Sequence, residues 1–247
     1  MPNWVTTVIT FNGNKSDMIK VFNEMGNQSS KGSDQNILDF NKIIPMPESL
    51  NVTSGSESEL ALAYYEAKKF GRLPKSSWHK DIQQVLSMVE KDIKVSSQKM
   101  MKLGKQLHDN IEKYGAKDWY DWCVDNWGTK WNACECSLNG SELFFQTAWS
   151  WPSPIMIKLA EICSKYNVGF VGKWADEDMG NNTGHFYCNG EDDCLSYDWY
   201  DDGSNEAYAA YEECCGESEC IGIDNDGNYY HYECGKSCPN CERCGCV

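Results

Sequence analysis

The sequence predicts an α+β fold built on a split β-α-β unit, with a helical insertion and a Cys-rich C-terminal β-hairpin extension. Three observations carry that reading. β-prone and amphipathic helical segments follow one another as strand, helix, strand, strand, helix, strand. A long stretch of three- and four-residue apolar spacing interrupts this order in the first half of the chain. Acidic residues and cysteines are concentrated at the C-terminal end.

The first strand is Trp4-Val-Thr-Thr-Val-Ile-Thr-Phe11, rich in β-branched and aromatic residues. Asn12-Gly-Asn-Lys-Ser-Asp17 reads as a turn, with Asn14 or Ser16 as helix cap, and Met18, Ile19, Val21, Phe22 and Met25 supply one apolar helical face. A single glycine there does not make a phosphate loop, whose backbone needs the GxxxxGK[ST] pattern. Residues 26–36 are rich in Gly, Ser, Asn and Gln and read as a loop. Phe40 to Pro47 reads as extended, because each residue before a proline is pushed out of the helical region.

Helical periodicity then covers residues 57–70 and 78–114, the latter through Ile82, Val85, Leu86, Val89, Ile93, Met100, Leu103, Leu107 and Ile111. This predicts an inserted helical hairpin over about 57–116. A short helix from Lys117 leads into Trp122 to Trp131, where three tryptophans flank a Gly-Thr break. Indoles bury large areas and each N–H needs an acceptor, so this density predicts a fixed helix-to-strand corner. Two strands, Trp131 to Ser137 and Glu142 to Trp149, are joined by Leu138-Asn-Gly-Ser141, a hairpin signal. Pro152 and Pro154 open a helix, where their missing N–H groups cost least. Val168 to Trp174 reads as the next strand. The order is that of a ferredoxin-like sandwich, a shape that implies no iron–sulfur cluster, with its helices expected on one face of the sheet.

Pro2-Asn3-Trp4, Phe40-Asn-Lys-Ile-Ile-Pro-Met-Pro-Glu48, Trp122 to Asn132, Phe145-Gln-Thr-Ala-Trp-Ser-Trp-Pro152 and Glu177-Asp-Met-Gly180 follow one another along the chain. In these patches, spread over residues 1–187, the chain resembles the YubB-like (Api-type) ferredoxin-like family of plasmid- and prophage-borne proteins. The resemblance implies the fold and a phage or mobile-element origin. It carries over no catalytic residue. The long insertion and the cysteine-rich tail depart from the family. The expected organisation is a ferredoxin-like domain over 1–187 and an acidic, Cys-rich module over 188–247.

Charge is divided unevenly. Residues 1–116 hold 15 Lys and Arg against 13 Asp and Glu, a net of +2, while residues 117–247 hold 7 against 24, a net of −17. Between Ala175 and Gly235 lie 17 acidic residues and no Lys or Arg. Such a surface repels nucleic acid and membrane headgroups and attracts basic partners. With no long apolar run and no basic-then-apolar leader, the expectation is a cytoplasmic protein that binds neither nucleic acid nor membrane directly. The expected partner is a basic host protein. Tyr197-Asp-Trp-Tyr-Asp-Asp202 mixes acid with aromatic, a pairing that suits Lys- and Arg-rich ligands, and the expected partner-binding residues are Asp192, Asp193, Asp198, Trp199, Asp201 and Asp202.

Ten of the fourteen cysteines lie at or after Cys188. In a reducing compartment, clustered thiolates read as metal ligands, with disulfides or idle thiols as the other readings. Cys238-x-x-Cys241 and Cys241-x-x-Cys244 have knuckle spacing, and an Asn-Asp-Gly turn before them predicts a hairpin that brings Cys220 toward Cys234. The expectation is a structural zinc ion held by four of Cys220, Cys234, Cys238, Cys241, Cys244 and Cys246, with His231 as a possible substitute. No Ser-His-Asp, HExxH or Cys-His motif is legible. The readings carried forward are a non-enzymatic protein that binds a basic surface, a structural protein with a passive zinc-held tail, and a nucleotide-acting enzyme with a pocket at Trp127, Trp131 and Trp149.

Overall fold

The computed structural model describes residues 3–26, 37–91, 96–218 and 220–231, the last without its side chain. These divide into two units, one drawn from 1–45 and 126–247 and the other from 46–125.

The first unit is organised around a six-stranded antiparallel sheet. Its strands are β1 (Trp4–Asn12), β2 (Cys134–Asn139), β3 (Glu142–Ala148), β4 (Gly169–Asp176), β5 (Gly184–Cys188) and β6 (Ser196–Trp199). They lie in the order β2-β3-β1-β4-β5-β6. The first four strands in this row have the ferredoxin-like order, with β1 hydrogen-bonded between β3 and β4. The fold expected from the sequence is therefore the fold observed, extended at one edge by β5 and β6.

Side-chain alternation along β1 explains the layers. Val5, Ile9 and Phe11 point to one face and are buried. There α1 (Lys15–Met25) supplies Phe22, whose ring meets Phe11 edge-on at 5.2 Å. The helix starts where Asn14 accepts the Asp17 N–H. The short α2 (Phe40–Ile43) places Phe40 against Phe145 of β3.

Val8, on the other face of β1, joins a second core with Ala175, Met179, Tyr208, Tyr211, Cys214, Cys220 and Ile221. Three of these come from one helix, Asn205–Cys215, which Ser204 caps through the Ala207 N–H. Helices therefore cover both sheet faces, not one. The boundary expected at 187 falls inside β5, and β6 and this helix continue the same unit beyond it. The acidic content of Asn205 to Cys215 masks its apolar stripe, in which Ala207, Tyr208, Ala210, Tyr211 and Cys214 recur at helical spacing.

A two-stranded hairpin follows, β7 (Ile221–Ile223) paired with β8 (Tyr229–His231). Its turn is built by Asp224, whose carboxylate accepts the N–H groups of Asp226 and Asn228, while Gly227 takes a left-handed φ of 85°.

In the second unit, α3 (Ser56–Phe70), α4 (Ile82–Glu90) and α5 (Ser97–Tyr114) share a core of Ala61, Leu62, Val85, Val89, Met100 and Leu107. The expected helix over 78–114 is two helices, because Asp81 caps α4 and Ser96 starts α5 afresh. Gly104 sits where α5 crosses α3: a Cβ there would lie 2.1 Å from the Ala61 carbonyl oxygen. The next helix, α6, is Trp119–Trp127. It is followed in the chain by β2 and β3, then α7 (Ser153–Ser164), and Asn205–Cys215 is α8.

Two predictions follow from these layers. Replacing Tyr211 by Ala should remove about 3 kcal/mol of unfolding free energy in a denaturant titration, because it opens the second core; a freely appended C-terminal region would leave stability unchanged. The hydrogen bonds to the Asp224 carboxylate, the Asn228 N–H first, hold its pKa below the usual carboxylate value. The turn is thus stabilised above the ordinary carboxylate pKa and loses that support as pH falls through the lowered one. An NMR titration of the Asn228 amide should report this transition, and Asp224→Ala should abolish it.

Candidate functional site

Strand β6 forms one edge of the sheet, and within the described residues its only strand neighbour is β5. Alternation sends Tyr197 and Trp199 to the face that carries Trp151, Trp174 and Phe186. Trp151 and Trp174 stack at 4.2 Å, Tyr197 lies 5.2 Å from Trp151, and Trp199 stands edge-on to Trp174 at 5.4 Å. Gly184, opposite Trp199, makes room for this packing: a Cβ would meet the Trp174 ring at 2.2 Å. Trp199 is thereby held rigidly at its base while 53% of its surface stays exposed. Rigid, partly exposed aromatic rings lose little entropy on binding, which makes them good anchors.

The carboxylates lie along and beyond this strand. Asp198 is on the opposite face of β6 from the rings, and its Oδ1 accepts the Trp199 N–H at 2.9 Å. At the β5–β6 turn, Asn189 accepts the N–H groups of Glu191 and Asp192. Ser164 donates to the Asp192 carbonyl at 2.7 Å, so Asp192 and Asp193 project from a braced loop. Past the other end of the strand, Asp201 accepts the Ser204 N–H through its carbonyl, and the Asp202 carboxylate accepts the Asn182 N–H. All five aspartates are exposed. Among the described residues none of them forms an ion pair, whereas Lys173 is matched with Glu213 of α8. A four-residue strand spans about 13 Å, so carboxylates stand at both ends of a short aromatic ridge. The six residues expected to bind a partner thus belong to one edge.

The tryptophans expected to form one pocket are divided by the fold. Trp127 is buried, donates its indole N–H to the Ile44 carbonyl at 2.9 Å and packs edge-on against Phe40. It is a core residue. Trp131 and Trp149 remain 38% and 47% exposed, and the Lys130 Nζ lies 4.3 and 4.7 Å from their ring centroids. A pocket lined by all three indoles is not formed. Composition could not separate them, because burial of an indole depends on whether its N–H meets a carbonyl from another segment.

The Gly-Thr break between them is a splint. Gly128, at φ 77°, approaches Pro154, where a Cβ would be 2.7 Å from the ring. Thr129 donates to the Ala148 carbonyl, and Asn132 bridges Phe40 and Asp39. Lys130 and Trp4, whose ring is 6.2 Å from that of Trp131, were not singled out by sequence reasoning. The signal available was a lysine placed directly between the Gly-Thr break and Trp131.

Of the six cysteines expected to hold zinc, Cys234, Cys238, Cys241, Cys244 and Cys246 lie outside the described residues, as does the His231 side chain. Cys220 is 2% exposed and packs in the second core with Met179 and Tyr208. Among the described residues no group of three or more His, Cys, Asp or Glu is placed to hold a metal ion. Burial pushes the Cys123 thiol up to about 12 and raises those of Cys163 and Cys214 as well. These three are protonated at neutral pH and unsuited to nucleophilic work. The 46–125 unit contains a cavity of about 510 Å³ lined by Leu60, Trp78, Met88 and Met100, with the Glu57–Lys99 ion pair at its wall. None of the residues expected to be functional lines it. Among the described residues no helix is long and apolar enough to cross a membrane.

Trp149 adopts φ 68°, a left-handed conformation that costs a bulky residue about 1–2 kcal/mol. Trp149→Gly should therefore be more stable than Trp149→Ala by about 1 kcal/mol in thermal unfolding, since both lose the indole and only glycine relieves the backbone. Equal stability of the two variants would show that the backbone there is unstrained.

Residues 126–216 match a family model described as a ferredoxin-like domain in Api92-like protein. The crystal structure of a protein Api92 from Yersinia pseudotuberculosis aligns with 81% of this chain and 99% of its own, at 11% identity and a TM-score of 0.36. No curated protein matches the chain. From the Trp127 corner through helix α8, the chain is similar to the ferredoxin-like domain of Api92-like proteins.

Proposed function

We propose that this chain is a non-enzymatic accessory protein of phage or mobile-element origin that acts in the host cytoplasm by occupying a basic protein surface. The supporting observation is the acidic, aromatic edge formed by β6 and its flanking loops. It sets Asp192 and Asp193 at one end, Asp201 and Asp202 at the other, and Trp199 between them on a rigid base. The edge suits an extended, lysine- or arginine-rich segment. Carboxylates meet its charges, and Trp199 and Tyr197 offer ring faces for cation–π contact. Asp198 guards the strand against a second copy of itself, because like charges brought opposite one another in a ladder are destabilising.

Each exposed ion pair is worth only about 0.2–1 kcal/mol, so affinity rests on several pairs acting with the aromatic anchor. In this reading the Cys-rich segment from Cys234 to Cys246 is a zinc-held extension, since four thiolates in a tetrahedron make a closed structural site. Metal analysis of protein purified under reducing conditions should find about one zinc per chain, and its removal by a chelator should leave the six-stranded sheet folded.

The decisive measurement is affinity for a lysine-rich peptide at low and high salt. Wild-type binding should weaken steeply as salt rises. Neutralising Asp192, Asp193, Asp201 and Asp202 together to Asn should cost about 1–4 kcal/mol and flatten the salt dependence. Binding that ignores both salt and the four substitutions would refute the proposal.

A further inference from the structure

The rings of Trp131 and Trp149 meet the ammonium of Lys130 at one end of the sheet, and Trp4 lies beside Trp131. Lys130 Nζ is 4.3 Å from the Trp131 centroid and 4.7 Å from that of Trp149, and Trp4 closes on Trp131 at 6.2 Å. The three indoles come from the start of β1, the α6–β2 loop and the residue after β3, so only the assembled sheet brings them together.

The backbone is arranged to present Trp149. Its N–H donates to the Asn3 carbonyl at 2.8 Å, and its carbonyl accepts from Asn182 Nδ2 at 3.5 Å. Asn182 is itself held by the buried Asp176 carboxylate, 3.1 Å away. This bracing keeps a bulky residue at φ 68°, where glycine would sit without strain. A conformation that opposes the side chain, held through Asn3 and Asn182 with Asp176 behind them, marks the indole itself as what the position requires.

The surroundings of the cage are acidic. Asn182 hands its N–H to the Asp202 carboxylate, and Glu177 donates its N–H to the Trp4 carbonyl. The cage is therefore continuous with the acidic edge of β6 through Asp202. Aromatic faces together with nearby carboxylates favour a cation over an anion.

We infer that Trp131 and Trp149, with Trp4 packed beside Trp131, form a cation-recognition cage, that Lys130 is its intramolecular occupant, and that a lysine or arginine of a bound basic segment displaces it. This inference rests on the proposed binding of a basic partner and assigns one subsite within it. Lys130 then sets a threshold: a partner side chain must compete with a tethered ammonium, so isolated cations bind poorly and a segment also held by the β6 edge binds well.

The experiment uses the full chain and an octalysine peptide, with dissociation constants measured by calorimetry. Lys130→Met empties the cage of charge and should tighten binding roughly three- to tenfold. Lys158→Met, which removes an exposed lysine from helix α7, controls for net charge alone and should change affinity less. Trp149→Gly should weaken binding roughly three- to thirtyfold, and Trp131→Leu should do the same should the first variant unfold. The inference is overturned if Lys130→Met matches Lys158→Met and the tryptophan variants bind as wild type, or if an octaglutamate peptide binds instead. Loss of binding in the aspartate variants alone would remove the cage and leave the acidic-edge reading standing. Failure of the wild-type protein to bind octalysine at low salt would remove both.

Discussion

Strand β1 is the constraint on which the rest of this structure depends. It pairs with β3 from Trp4 opposite Ala148 to Thr10 opposite Glu142, and with β4 from Val5 opposite Asp176 to Asn12 opposite Gly169. Both partners lie far along the chain, so the N-terminal segment is the template on which segments more than 130 residues away are set in register. A shift of one residue would exchange the face of Ile9 and Phe11 with that of Val8 and leave each core facing the wrong side. The two cores, the aromatic ridge and the cluster of Trp4, Lys130, Trp131 and Trp149 all inherit their geometry from this alignment.

The same sheet reconciles a conflict written into the composition. A segment with 17 acidic residues and no basic ones would repel itself if it stood apart. Helix α8 avoids this by laying Tyr208, Tyr211 and Cys214 on the sheet and directing Glu206 and Glu213 outward. Burial of the apolar stripe outweighs the cost of like charges spread over a solvated face, where screening keeps each repulsion small. The negative field thus comes to rest on a folded surface, with β6 as its rim.

Aromatic residues in this chain divide between two roles by the availability of a hydrogen-bond acceptor and of room. Trp127 finds the Ile44 carbonyl and becomes a splint of the corner. Trp199 finds a ring to lean on and an open edge. Trp131 and Trp149 find an ammonium. A chain with ten tryptophans distributes them according to what the neighbouring segment offers, and the exposed ones are those held at their bases with a face left to solvent.

What the sequence alone determined was local in origin. The alternating runs at Trp4 to Phe11 and Val168 to Trp174, the Asn-Gly turn before β3, the prolines ahead of α7 and the Asn14 cap each act over a few residues, and together they specify the ferredoxin-like order. The carboxylates of one edge were also legible, because exposed charge is the default of acidic loops. Only the tertiary structure decided that α8 covers the second face, that Trp127 is core, and that Lys130 meets the rings of Trp131 and Trp149, with Trp4 beside Trp131. Each of these depends on a partner from a distant segment, and a residue's type records its capacity for burial or contact but not the neighbour that satisfies it.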